Sequence, residues 1–321
     1  MKRFHQQIRG LPTPLGGLAL GIASLGWCME NALPLQGYGQ MIGSMIAIVM
    51  IAVLLGRFVL HPDTLWNDLK HPVLGSILPT FAMTSMVISK MVGDYLPSLG
   101  VFIWLTAIVI HCLFLMTFIY HRVRDFAPHH VVPSWFIPPI GLIVADVTCP
   151  SPEYYGIAIT LLVIGLSCYA IMLPLVIYRL IFVKEIPDAA KPTIAILAAP
   201  ASLSLAGYLN VVKEPSLLII AILLGVAILM TFIVYCALFK LLRLPFTPGF
   251  AAFTFPLVIG ATALYKLADL AKAHALTEAM SHQLRILANV ELAIATLVIL
   301  YVCVCYYSFY CVKSKEGLLT N

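Results

Sequence analysis

Charge is the scarcest commodity in this sequence. Only 10% of its 321 residues are Asp, Glu, Lys or Arg, against about 25% in a soluble domain. Hydrophobic residues make up 61% and the mean hydropathy is +1.00. No water-soluble fold of this length hides that much apolar surface, so lipid must be the solvent for much of the chain. Ligand-forming patterns are also missing. The eight cysteines contain no C-x-x-C pair. Cys28, Cys112, Cys168, Cys236, Cys303 and Cys305 stand in apolar runs, where thiols behave as small hydrophobes, and Cys303, Cys305 and Cys311 have no histidine nearby. There is no nucleotide-binding loop and no H-E-x-x-H. These absences argue against metal or other cofactors, against ATP hydrolysis within the chain and against an enzyme. The net charge of +5 is too small to point to nucleic acid.

What the sequence does have is long apolar runs. A spanning helix needs about 20 mostly apolar residues, and ten segments meet or approach that length: 11–29, 38–60, 71–92, 101–120, 134–148, 156–180, 194–212, 216–241, 250–270 and 284–310. The fifth is the shortest. The first follows Lys2, Arg3 and Arg9, as a signal peptide would, but lacks a small-x-small cleavage site, so we read it as an uncleaved first span. One transmembrane domain then occupies 1–321.

The basic residues test the count. With the N-terminus inside, ten spans leave only Lys90, Lys213, Lys266, Lys272 and Arg285 outside, and the other fourteen of nineteen Lys and Arg inside. That is a strong positive-inside bias. It persists to the end of the chain, which places both termini in the cytoplasm.

Prolines reveal a repeat. The odd-numbered segments carry Pro14, Pro79, Pro138, Pro200 and Pro256, separated by 65, 59, 62 and 56 residues. Leu11-Pro12-Thr13 also echoes Leu78-Pro79-Thr80. The even segments lack proline, apart from Pro174 in the sixth. An interior proline removes a hydrogen bond and kinks a helix. In a membrane such a kink persists where protein or water satisfies the freed carbonyl. We therefore expect an all-α fold of five helical hairpins, with kinked odd helices running parallel around a central pore and straight even helices outside, facing lipid.

Phe253-Thr254-Phe255-Pro256, Ala199-Pro200-Ala201 and His71-Pro72-Val73 leading into Pro79-Thr80 resemble the tellurite-resistance/dicarboxylate transporter family. That family includes bacterial tellurite-resistance proteins, yeast malate and sulfite transporters and the plant guard-cell slow anion channels. The resemblance covers essentially the whole chain. It implies ten helices in five hairpins, a central pore in each protomer of a homotrimer, and a phenylalanine on the ninth helix that blocks the pore. Carried over to this sequence, that gate is Phe255. Phe253 lies about 200° round the helix, so both cannot face the axis. Pro256 follows at once, where the bacterial tellurite-resistance members have glycine. The implied partners are small anions or dicarboxylates and membrane lipid, and the implied location is the bacterial inner (plasma) membrane.

Other residues invite roles. Lys90, Lys213 and Lys266 lie 11, 13 and 10 residues beyond Pro79, Pro200 and Pro256, which is roughly 15–20 Å at 1.5 Å per residue. A partial ring of ammonium groups there would concentrate anions at the outer mouth. Interfacial snorkelling, or pairing with Asp94, Glu214 and Asp269, is the plainer alternative. Asp146 is a candidate proton site, because intramembrane carboxylates are costly and often functional. If instead the fifth helix ends before it, the side chain sits in water, which is the outcome we expect. Glu291, on an even helix, should face a neighbouring helix rather than the pore. The leading function is a channel or transporter for small anions. The alternative is a proton-coupled transporter or exporter of C4-dicarboxylates such as malate or succinate. Val92-Gly93-Asp94-Tyr95 matches only part of the intramembrane aspartyl protease motif, and His129-His130 lacks a third ligand.

Overall fold

The computed structural model describes residues 8–183, 186–273 and 278–312, and the side chains of 273, 311 and 312 are not described. Lys2, Arg3, Lys184, Lys313, Lys315 and both termini, which entered the topology argument, fall outside the described residues, as does the Cys311 side chain. No strand occurs among the described residues. The apolar helical segments are α1 (Leu15–Met29), α2 (Tyr38–Leu60), α3 (Leu74–Tyr95), α4 (Pro97–Arg124), α5 (Pro133–Val147), α6 (Pro152–Phe182), α7 (Asp188–Val211), α8 (Leu217–Leu241), α9 (Pro248–Lys272) and α10 (Glu278–Tyr310). Eight are long and apolar enough to cross a membrane, while α1 and α5 are shorter. A surface helix, Pro62–Lys70, links α2 to α3.

Burial sorts these segments into two classes. In the most apolar stretch of α3, 78% of residues are buried, and in α7 and α9 83%. The corresponding figures are 39% for α2 and α10, 28% for α4 and α6, and 33% for α8. Most of α1 and nearly all of α5 are buried too. The odd segments therefore form the core and the even ones present leucine, isoleucine and valine outward, as lipid-facing helices should. The odd segments also touch in sequence, α1 on α3, α3 on α5, α5 on α7 and α7 on α9, and α9 closes back on α1. The even helices pack outside this ring, α2 on α1, α4 on α3, α6 on α5, α8 on α7 and α10 on α9.

Four of the odd segments, α3, α5, α7 and α9, are broken rather than smoothly bent, and α1 is a single helix that starts at Pro14. In α3 a four-residue helix, Leu74–Ile77, stops before Pro79, and Thr80–Tyr95 begins anew. In α7 and α9 the first halves are 3₁₀ helices, Asp188–Ala198 and Pro248–Phe253, and the second halves are α-helices, Ala199–Val211 and Phe255–Ala273. In α5 short 3₁₀ and α pieces alternate. Each of the five prolines sits at or within the first turn of a helical piece, at the N-cap for Pro14 and Pro79 and just inside for Pro138, Pro200 and Pro256. There its missing N–H leaves nothing unsatisfied. Carbonyls at the breaks find side-chain donors. Thr80 donates to Ile77, Ser202 to Ala198, Thr254 to Ala251, and the His111 ring pairs with the Pro138 carbonyl at 2.8 Å. Ahead of α3, His71 Nδ1 accepts the N–H of Val73 and Leu74. Its pKa is lowered, first by burial and then by the nearby Arg122 and His130, against an opposing pull from Asp68.

Close approach needs glycine at the α1–α9 contact. A methyl group on Gly21 would overlap Thr254 Oγ1 and Cβ and lie 3.2 Å from the amide nitrogen of Phe255. Overpacking usually costs about 1–3 kcal/mol, and here the obstruction includes backbone. Gly21→Val is expected to lower the thermal unfolding midpoint of the detergent-purified protein by several degrees. A midpoint equal to the wild type would show that this contact is loose.

Candidate functional site

The breaks converge on one axial cavity. All five odd segments line it: Pro14, Gly17 and Leu20 from α1, Ile77, Thr80 and Met83 from α3, Phe136, Ile137, Ile140 and Gly141 from α5, Ile196, Ala199, Pro200 and Leu203 from α7, and Phe255 and Pro256, with residues of the preceding 3₁₀ turn, from α9. Among the described residues, Thr80 is the only polar side chain in this wall. The cavity volume is about 60 Å³. One water needs about 10–15 Å³ on this measure, so only a few fit. A hydrated ion does not, and a bare one would lose its hydration against an apolar wall.

Three of the five repeat prolines, Pro14, Pro200 and Pro256, line the cavity, and Pro79 and Pro138 stand one residue from lining positions. The two phenylalanines of the ninth segment part company as helical geometry requires. Phe255 is on the cavity wall with 7% of its surface exposed. Phe253 is wholly buried, its ring centroid 4.9 Å from that of Phe250. Thr254 between them has backbone angles of −87° and −81° and donates to the carbonyl of Gly17 on α1 at 3.2 Å.

The three lysines have different fates. Lys90 pairs with Asp94 at 3.1 Å, and Lys213 is exposed just past α7. Lys266 is partly buried, and its Nζ donates to Asn210 Oδ1 at 2.7 Å. The Asn210 amide in turn donates to the backbone carbonyl of Asp146 at 2.7 Å. Asp269 pairs with Arg285 rather than with Lys266. The structure thus links Lys266 through Asn210 to Asp146, and it does not join the three lysines by hydrogen bonds.

Asp146 corrects the expectation of a wet side chain. It is 0% exposed, and neither carboxylate oxygen has a protein hydrogen-bond partner. The α5 segment runs on to Val147 and presses this side chain against Gly207, where a Cβ would lie 3.3 Å from Oδ2. Glu291 is also buried, with Oε2 unpartnered and against Gly260 of α9, so it faces a neighbouring helix as its position on α10 implied.

The sequence reading missed Asn210, a single polar residue near a helix end with no pattern to mark it. It also missed a buried cluster at the other end of the molecule. There Asp68 accepts from Arg57 at 2.8 Å and from Thr13 at 2.5 Å, and Arg57 also donates to Thr13 at 2.7 Å. Thr13 immediately precedes Pro14 of the cavity wall. A signal existed: Arg57, Arg122 and Arg179 recur at intervals of 65 and 57 residues, close to the proline spacing. All three are buried, at 7%, 5% and 3% exposure. Among the described residues, no three His, Cys, Asp or Glu side chains come together to hold a metal ion.

A family model described as voltage-dependent anion channel matches residues 4–307 of this chain. Two uncharacterized transporters of Methanocaldococcus jannaschii are similar to it. One is 31% identical over 226 residues, covering 63% of this chain and 65% of that protein, so the chain spans just under two thirds of that relative's length. The other is 29% identical over 239 residues, covering 66% of this chain and 70% of that protein.

Proposed function

The chain belongs to the voltage-dependent anion channel family, the tellurite-resistance/dicarboxylate transporter group that its motifs resemble, and from that premise we propose that it carries small anions through the axial cavity, with Phe255 as the gate. Family and apolar helices together make it an integral membrane protein. In this reading α1 and α5 cross the membrane along with the eight longer helices, giving ten crossings in five hairpins. Both termini lie in the cytoplasm of a bacterial cell with the protein in its inner membrane, and three copies assemble with one passage each. The family is one of channels and transporters, and no enzymatic role is proposed.

The observation that carries the reading is the closed ring of five inner segments, four of them broken, around a narrow apolar cavity with Phe255 in its wall. Narrow apolar constrictions gate by excluding water. The longer helical pieces of α1, α3, α7 and α9 begin at residues of the cavity wall, Pro14, Thr80, Ala199 and Phe255, so their N-terminal ends, the positive ends of their dipoles, lie there. Lys266, and to a lesser degree Lys90 and Lys213, favour anions at the far mouth.

A second reading, proton-coupled transport of C4-dicarboxylates, draws on Asp146, a carboxylate buried without a partner beside a lysine-linked asparagine. One experiment addresses both. Purified protein is placed in proteoliposomes, and chloride, nitrate, sulfite, tellurite and malate gradients are imposed with and without a proton gradient. We expect a diffusion potential set by the anion gradient and unchanged by the proton gradient. A potential that follows the cation would overturn the anion reading. Malate uptake driven by the proton gradient and lost in Asp146→Asn would establish the coupled one.

A further inference from the structure

Glu291 is a carboxylate buried between apolar helices with nothing to balance its charge. It lies near the middle of α10, 13 residues from Glu278 and 16 from Tyr307, and is 6% exposed. Its Oε2 is buried with no hydrogen-bond partner, and none of the ion pairs among the described residues includes it. The side chain meets α9 where that helix carries no side chain of its own. A Cβ at Gly260 would stand 2.5 Å from Oε2 and 3.9 Å from Oγ of Ser202 on α7. Carboxylate and hydroxyl thus converge on one glycine. With Thr231 of α8 they are the polar groups lining a cavity of about 10 Å³ between α7, α8, α9 and α10. That is room for about one water.

The helices packed around Glu291 bring no cation to it. Cys28 of α1 and Tyr235 of α8 are the titratable groups that feel its charge from neighbouring helices, and thiol and phenol are both uncharged at neutral pH. Tyr265 of α9 turns its hydroxyl to Asn289. On α7, Ser202 donates to the carbonyl of Ala198. The nearest charged residue along α10 is Arg285, which pairs with Asp269. Lys266 of α9 is bonded to Asn210. A carboxylate without a counter-charge is costly in such a place. The cavity is too small for a hydrated cation, and three polar side chains are too few to replace a hydration shell. A proton is the ligand that fits.

The site backs onto the axial cavity. Ser202 stands between Pro200 and Leu203, and Gly260 is one turn beyond Pro256; Pro200, Leu203 and Pro256 are all in the axial wall. Glu291 therefore lies behind the wall where α7 meets α9, about one helix diameter, roughly 10 Å, from an anion in the passage. We propose that Glu291 binds a proton in this small cavity and that anions pass while it is neutral, its ionisation setting a repelling charge behind the α7–α9 wall. At an effective dielectric of about 20, a unit charge about 10 Å away slows an anion by roughly tenfold. The proton sets the rate and is not carried, so the anion gradient still sets the potential. The effect on rate rests on the anion reading given above, and the proton site itself does not.

The test uses full-length protein in proteoliposomes with equal pH on both sides, stepped from about pH 5 to about pH 9, which brackets ordinary and buried carboxyl groups. Chloride flux is read for the wild type, Glu291→Gln and Asp146→Asn. We expect wild-type flux to fall by about tenfold toward alkaline pH. Glu291→Gln, which copies the neutral acid in shape, should keep the acid-side flux throughout, and Asp146→Asn should keep the wild-type pH profile. Infrared difference spectra between the two pH extremes read the proton directly. A protonated-carboxyl band that disappears on alkalisation in the wild type should be missing in Glu291→Gln. A wild-type flux indifferent to pH would overturn the proposal, as would a pH profile that survives in Glu291→Gln. If the wild type passes no anion at any pH, the anion reading fails and the infrared band alone decides the proton site, its absence from the wild type or persistence in Glu291→Gln refuting it. A flux that changes at fixed pH when sodium replaces N-methylglucamine, and no longer does so in Glu291→Gln, would assign the site to a small metal cation instead.

Discussion

Phe255→Ala is expected to raise anion flux through proteoliposomes by about tenfold or more over the wild type. The phenyl ring stands in the wall of a cavity of about 60 Å³, too small for a hydrated anion. Truncation to alanine removes the bulkiest obstacle on the α9 side while leaving the backbone at Pro256 untouched. A tenfold gain corresponds to lowering the barrier by about 1.4 kcal/mol, a modest fraction of what partial dehydration of an anion in an apolar neck would cost. Phe253→Ala is the control. Its ring packs on Phe250 and touches no part of the cavity, so the change should destabilise by about 3–5 kcal/mol, as Phe→Ala substitutions in cores do, without increasing flux in the protein that folds. Wild-type flux in well-folded Phe255→Ala would remove the ring from the gating role. An equal gain from Phe253→Ala would mean that loosening α9 anywhere opens the passage.

The second large effect is expected at the opposite end of the molecule. Asp68→Ala should destabilise the protein by about 3–5 kcal/mol, the usual result of stranding one member of a buried ion pair. Arg57 and Asp68 have side-chain exposures of 8% and 10%, and Thr13 is bonded to both. Removing the carboxylate leaves the guanidinium buried with a hydroxyl for company. The unfolding midpoint in detergent reads this loss directly. Replacing the pair together, as Arg57→Met with Asp68→Leu, should recover most of it, because a well-packed apolar pair removes the desolvated charge altogether. An Asp68→Ala protein as stable as the wild type would show that water reaches Arg57 in the membrane-embedded protein. Because Thr13 adjoins Pro14, the single variant should also disorder the near mouth of the axial cavity.

Much of the architecture was legible before any coordinates. The boundaries of the second and eighth segments differ from the observed helices by a residue at most, because lipid-facing helices must be apolar along their whole length and water-facing loops must not. The proline period marked the inner segments, since a chain break is tolerated only where other protein surrounds it. The form of the break was not legible. A kinked helix was expected, and 3₁₀ stretches such as Asp188–Ala198 appear instead, because proline at the start of a helical turn avoids the clash that an interior proline creates. Asp146 shows the same limit. Whether it met water depended on where α5 ended and on Gly207 opposite it, which are facts of packing.

By itself the sequence determined the solvent of this protein, its all-helical character and the division between inner and outer segments, since each follows from composition and period along a single chain. Tertiary structure alone decided which groups meet. It set Phe255 on the cavity and Phe253 off it, joined Lys266 to Asn210, buried Arg57 against Asp68, and brought Glu291 against Gly260. Such pairings depend on the rotation and spacing of helices far apart in the chain, and no local pattern of residues encodes those two quantities.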